Sequence, residues 1–175
     1  MKQHTWPVQG EKIYLRPPCE NEITFIKTLW EDVDTMKAVG GPIQWTKVQY
    51  DNWYQKMVVN NPSNLYCLIF DFYHQPIGEI SYRLNPRLTQ VGELNLKIIA
   101  SQRKRGYAKD ALLTFLNFCF NHLDFQIMTD EIGFDNRVSQ ELFIKLGFKH
   151  YPKKSNHFWV EMDKNYFNER YGKQF

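Results

Sequence analysis

Two hydrophobic periods divide this chain. Over residues 20–39 apolar side chains recur at three- and four-residue steps. Ile23, Ile26, Leu29, Trp30, Val33 and Met36 therefore share one broad helical face. Gly40-Gly41-Pro42 stops that helix. A shorter helix is predicted over 48–59, closed by Asn60-Asn61-Pro62. Ahead of both, residues 12–16 read as a short strand ending at Pro17-Pro18. The period then changes to two. Residues 65–72 form a strand, His74-Gln75-Pro76 a turn, and 77–84 a second strand with Ile80, Tyr82 and Leu84 alternating. After a turn at Asn85-Pro86-Arg87, residues 93–100 turn Leu94, Leu96 and Ile98 one way and Glu93, Asn95 and Lys97 the other. A helix over 107–122 carries a stripe of Ala108, Ala111, Leu112, Phe115, Leu116 and Cys119. A strand over 126–134 precedes a helix over 136–146, with Gly147 just past its end. Residues 148–152 and 156–162 read as a closing pair of strands.

The order is thus β-α-α-β-β-β-α-β-α-β-β. A three-strand meander followed by β-α-β predicts a mixed α/β sheet with helices on its faces. The length, 175 residues, predicts one domain over 1–175. Hydrophobic content of 43% and aromatic content of 16% exclude a disordered chain. A net charge of +3 argues for neither nucleic acid nor membrane as a partner. The longest apolar runs, such as 66–70, are far too short to span a bilayer, and residues 1–7 lack the apolar core of a secretion signal. Cys19, Cys67 and Cys119 are odd in number and widely spaced, so they imply neither a disulfide framework nor a metal motif. Reduced thiols in a cytoplasm are the expectation.

Chemistry concentrates at one junction. Ser101-Gln102-Arg103-Lys104-Arg105-Gly106-Tyr107-Ala108 joins the strand over 93–100 to the helix over 107–122. The first N–H groups of a helix have no intrahelical partner, and the helix dipole places partial positive charge there. A basic, glycine-containing turn at that place suits a phosphate. The bland alternative is a solvated, charged helix start. A nucleic-acid patch fits less well, because no broader basic surface with exposed aromatics surrounds Arg103, Lys104, Arg105 and Lys109.

Arg103-Lys104-Arg105-Gly106-Tyr107-Ala108 resembles the acetyl-CoA signature [Q/R]-x-x-G-x-[G/A] of the GCN5-related N-acetyltransferase (GNAT) superfamily. A second family element, an N-x-x-S helix ending in LGF, is matched by Asn136, Ser139 and Leu146-Gly147-Phe148. Residues 12–17 look like the family's first strand. The resemblance spans roughly residues 10–163 and is nearest to the ribosomal-protein alanine N-acetyltransferases. It implies a GNAT-like mixed, mostly antiparallel sheet of about seven strands flanked by about four helices. It implies acetyl-CoA as cosubstrate, an amine acceptor, no metal, and dimerisation as common in the family. The strand over 94–99 would splay from that over 126–134, with pantetheine in the gap pairing near Leu96, Ile98 and Ala100. The pyrophosphate would rest on the N–H groups of Arg103, Lys104, Arg105, Gly106, Tyr107 and Ala108. The oxyanion donor would be the N–H of Ile98 or Ile99.

For the base, Glu93 and Glu79 are candidates, acting through a water on the ammonium proton; the alternative is ordinary strand residues in cross-strand pairs. For the acid, the family's tyrosine in L-Y-x-K-x-G-F is replaced by Phe143, which has no hydroxyl. Ser139, one turn earlier, is the substitute, or else it bonds its local backbone. Asn136 either bonds pantetheine or caps its helix. Trp30, Trp45, Trp53 and Tyr54 flank the acceptor side or pack the core, and Glu31, Asp32 and Asp34 attract a cationic amine or face solvent. The acceptor is a protein N-terminus or a small primary amine. An aminoglycoside-type acetyltransferase and a non-catalytic CoA-binding sensor are the alternatives.

Overall fold

The structure is a computed structural model that describes residues 5–59, 63–152 and 157–175. The predicted stop at 60–62 and the predicted strand start at Asn156 lie outside the described residues. The strands are β1 (Val8–Gln9), β2 (Ile13–Arg16), β3 (Asn64–Asp71), β4 (Pro76–Asn85), β5 (Leu88–Ile98), β6 (Ile127–Gly133), β7 (Lys149–Tyr151) and β8 (His157–Asp163). The helices are α1 (Ile23–Glu31), α2 (Val33–Met36), α3 (Lys47–Tyr54), α4 (Tyr107–Asn117), α5 (Arg137–Leu146) and α6 (Lys164–Tyr171). The strands form one mixed sheet in the order β1-β2-β3-β4-β5-β6-β8-β7. β5 and β6 run parallel, while β1–β2, β2–β3, β6–β8 and β7–β8 are antiparallel. This is the predicted fold class with more elements: eight strands and six α-helices among the described residues.

The differences have local causes. β1 is two residues long, too short for any alternation to show, and is held by Val8↔Leu15 and Gln9↔Tyr14. The single helix over 20–39 breaks at Asp32, whose ψ is 112° and whose carboxylate accepts the Thr35 N–H at 2.8 Å. An aspartate that caps a new helix cannot also continue the old one. The break takes Val33 off the buried face, and it is 62% exposed. The helices over 48–59 and 107–122 each end in a π-helical turn, at Gln55–Val59 and Phe118–His122. β5 starts five residues early, at Leu88, where the side chains of Leu88, Thr89 and Gln90 are all exposed and no alternation exists to read. Helix α6 has only Phe167 and Tyr171 buried, too few positions to make a period.

The chain divides into two compact units, one formed by residues up to Ser81 with Leu96–Phe115, the other by Tyr82–Asn95 with Leu116–Phe175. In the first, Ile26, Leu29, Trp30, Met36, Tyr50, Tyr66, Leu68 and Phe70 form a core, with Trp45 and Trp53 packed on it. Trp30 sits at its centre, edge-on to Trp45 (5.3 Å between centroids) and to Trp53 (4.8 Å). Of the aromatic residues read as either acceptor-side or core, Trp30 and Tyr54 are buried, while Trp45 and Trp53 are half-buried and pack against the core. In the second unit, Met128, Ile132, Val160 and Met162 alternate inward from β6 and β8, and Phe120, Phe167 and Tyr171 pack together. No helix among the described residues is long and apolar enough to cross a membrane.

Candidate functional site

The basic turn opens α4 as the sequence predicts. The first hydrogen bond closing the helix is Asp110 N–H to Gly106 O at 3.2 Å, so the N–H groups of Tyr107, Ala108 and Lys109 precede its ladder. Two residues of the turn have positive φ, Lys104 at 63° and Gly106 at 85°. The first is uncommon for a residue with a side chain. A backbone curled in this way makes a concavity lined by N–H groups. The turn is braced by the two residues that precede β2. Asp110 in the first turn of α4 accepts the N–H groups of Glu11 (3.1 Å) and Lys12 (2.7 Å). The Lys12 ammonium then lies against the turn, donating to Arg105 O at 3.4 Å. Lys12 is the residue sequence reading missed here. Its signal was a lysine at the start of a strand, which is too common to notice.

Arg103 is engaged differently from its neighbours. Its N–H donates to Ala100 O at 3.2 Å, so the free N–H groups begin after it. Its guanidinium is bonded to three backbone carbonyls.

On β5 the edge chemistry is resolved. Ile99 N–H donates to Ile77 O on β4 at 2.9 Å. Successive N–H groups of a strand point to opposite edges, so Ile98 N–H points away from β4. Of the two oxyanion candidates, Ile99 is therefore spent in the ladder and Ile98 is the one left. Ala100 N–H is also taken, by Thr35 Oγ1 at 2.8 Å, which removes it from the groups expected to pair with pantetheine.

Glu79 is fully buried. Its Oε2 accepts Trp30 Nε1–H at 2.7 Å and the Tyr66 hydroxyl, and its Oε1 accepts Lys97 Nζ at 2.6 Å. Burial pushes the pKa up, but Lys97 and the Tyr66 and Trp30 donors outweigh it, and the carboxyl stays below its usual range. The same pair explains Tyr66, whose phenol is pushed well up by burial and by the anionic Glu79. A carboxylate in this setting is held as an anion by fixed donors. Glu93, by contrast, is exposed, opposite Thr129 in the β5–β6 pair.

The model of the Acetyltransferase (GNAT) domain matches residues 12–149. The chain belongs to the GNAT acetyltransferase family. No curated protein matches it by sequence. Among solved structures, the GNAT fold recurs in a spermidine N-acetyltransferase from Vibrio cholerae in complex with CoA and spermine, at 13% identity, TM-score 0.79, with 89% of this chain and 98% of that one covered. It recurs in apo FdhC, a nucleotide-linked sugar GNAT, at 18% identity, TM-score 0.81, with 98% and 97% covered. A putative ribosomal-protein-serine acetyltransferase from Vibrio cholerae aligns at 15% identity, TM-score 0.74, with 90% and 97% covered.

The second GNAT element, on α5, is as the sequence placed it. Asn136 Oδ1 accepts the Ser139 N–H at 3.3 Å, so its oxygen caps the helix. Ser139 is half-buried in the first turn, with no hydrogen bond to its hydroxyl among the described residues. Gln140 fastens α5 to the end of β6, donating to Gly133 O (2.8 Å) and Phe134 O (3.0 Å). Phe143, which has no hydroxyl, is 2% exposed, 4.7 Å from the Phe148 ring.

Proposed function

We propose that this GNAT protein works as one domain that transfers an acetyl group from acetyl-CoA to a primary amine, by direct attack with both substrates bound. The observation that carries the reading is the turn at 103–108. It combines the family's signature with two positive-φ residues and a run of helix-opening N–H groups, and it has room at Gly106 for close backbone approach. Lys104, Arg105, Gly106, Tyr107 and Ala108 hold the pyrophosphate in this reading, and Lys12 adds a cation beside them. Acetyl-CoA supplies an acetyl group activated as a thioester. The acceptor nitrogen forms the C–N bond, the C–S bond breaks, and the electron pair leaves on sulfur. Ile98 N–H stabilises the oxyanion, and alignment of the two reactants supplies much of the rate.

The acceptor must first lose a proton. Glu93 is the candidate base, since it is open to solvent and to a bridging water, whereas Glu79 is sealed. Ser139 is the candidate donor to the departing thiolate, because Phe143 has no proton to give. Ser139→Ala lowers kcat about tenfold or more while the affinity for acetyl-CoA holds. An unchanged kcat in a stopped-time thiol assay removes Ser139 from that role, and the leaving thiolate then takes its proton from water. Free cysteines, with Cys67 and Cys119 buried, support work in a reducing, cytoplasm-like compartment.

The test is incubation with acetyl-CoA and a panel of amines while free thiol is followed. Spermidine, spermine, aminoglycosides and peptides with alanine or serine N-termini make up the panel. The expected result is thiol release with at least one amine. Phe143 in the core favours one second reading, a CoA-binding sensor without catalysis. CoA binding with no thiol release for any acceptor selects that reading, and no binding at all removes both.

A further inference from the structure

Arg103, the first residue of the signature, does not aim its guanidinium at an incoming anion. Its Nε donates to Ile98 O at 3.0 Å, Nη2 to Thr35 O at 2.9 Å and Nη1 to Asp34 O at 3.3 Å. Thr35 itself closes the arrangement. Its hydroxyl accepts Ala100 N–H at 2.8 Å and donates to Asp32, whose Oδ2 also accepts the Thr35 N–H. Thr35 is 1% exposed, so its own groups are shielded, while Arg103 reaches it from an exposed position.

The Ile98–Ile99 peptide is the target of this latch. A peptide unit is planar and trans, so its C=O and N–H point in opposite directions. Ile99 N–H is fixed to Ile77 O on β4 and Ile98 O is fixed to Arg103 Nε, which holds that plane at both ends. Ala100 N–H is pinned in turn by Thr35. Along the β5 edge that faces away from β4, Ile98 O is the acceptor already covered, and Ile98 N–H is the donor beside it. A bare carbonyl there would repel a developing oxyanion; a carbonyl capped by a guanidinium does not, and it brings a positive charge nearby.

The geometry points to Arg103, with Thr35 behind it, as the positioning residue that sets the Ile98 N–H for the thioester oxygen, rather than as a phosphate ligand. This inference rests on the proposed acetyl transfer at β5. A latch that fixes one donor changes the chemistry of the bound thioester more than its binding.

The deciding measurement is the infrared band of acetyl-CoA labelled with 13C at the thioester carbonyl, bound to the wild-type chain and to Arg103→Ala, Arg103→Lys, Thr35→Val and Thr35→Ser. Calorimetry with CoA and circular dichroism are run on the same samples. In the wild type the bound band moves to lower wavenumber than in free acetyl-CoA. In Arg103→Ala, Arg103→Lys and Thr35→Val at least half of that movement is lost, while the CoA Kd stays within about threefold. Thr35→Ser, which keeps the hydroxyl, keeps the wild-type band. Thiol release falls about 10- to 100-fold in the Arg103 variants. If Arg103→Ala does not fold, Arg103→Lys decides. A wild-type band in Arg103→Lys, or no displaced band in the wild type, overturns the inference. So does loss of CoA affinity in Arg103→Lys, which would make the side chain a ligand. A wild-type chain that binds no acetyl-CoA overturns the transferase reading itself.

Discussion

Gly106→Val raises the Kd for CoA at least about a hundredfold and leaves the fold in place. The valine would need a left-handed φ of +85°, which costs a side-chain residue roughly 1–2 kcal/mol. Its Cβ would lie 3.1 Å from Lys12 Nζ, the far end of a flexible chain that can move aside. Both costs are bearable for a folded domain. The site is less forgiving. A branched side chain at the mouth of the turn holds a diphosphate off the N–H groups, and each charge-assisted bond lost is worth about 1.5–3 kcal/mol. Two such losses exceed the roughly 2.7 kcal/mol that separates a hundredfold change in affinity. Calorimetric titration with CoA, beside a thermal melt, checks this. A folded Gly106→Val that binds CoA as tightly as wild type moves the phosphate site elsewhere.

Glu79→Gln destabilises the protein by about 3–5 kcal/mol, because Lys97 loses its anionic partner in a place where its side chain is only 12% exposed. The sign of the pH dependence follows from the shifts. Glu79 is held below its ordinary value of 4.5. Its contribution is present above that value and is lost as pH falls through the folded pKa. Tyr66 is pushed well above its ordinary value of 10.0, so its contribution is present below pH 10.0 and is lost as pH climbs beyond it. Urea midpoints measured from pH 3 to 11 should therefore form a plateau that falls away at both ends, and Glu79→Gln should flatten the acid limb. A Glu79→Gln midpoint equal to wild type at pH 7 would mean that the pair contributes nothing to stability.

Much of this was legible beforehand because the decisive features are local. Gly106 declares itself by its place between an alternating strand and an apolar stripe, since glycine is the residue that adopts positive φ at no steric cost. Gly147 likewise marks the end of α5, at φ +95°. What stayed hidden depends on partners distant in sequence. Alternation shows which face a side chain takes, but not which edge of β5 meets β4, so Ile98 and Ile99 could not be told apart. Glu79 reads as one more strand carboxylate. Trp30, Tyr66 and Lys97, from α1, β3 and β5, make it a sealed anion. Arg103 reads as one more charge in a basic turn, because charge is visible in a sequence and the carbonyls that its guanidinium meets are not.

Helix α6 lies outside the stretch matched by the family model, which stops at residue 149, yet it finishes the end of α5. Tyr171 donates to Leu146 O at 3.1 Å, and Arg170 reaches Lys145 O at 3.5 Å. The Tyr166 ring sits so close to Gly147 that an added methyl would fall 2.6 Å from it. A clone cut back to Asp163 would thus strip the lid from two helix-terminal carbonyls and bare the Phe120 side chain, which makes the last dozen residues a poor place for economy when expressing this protein.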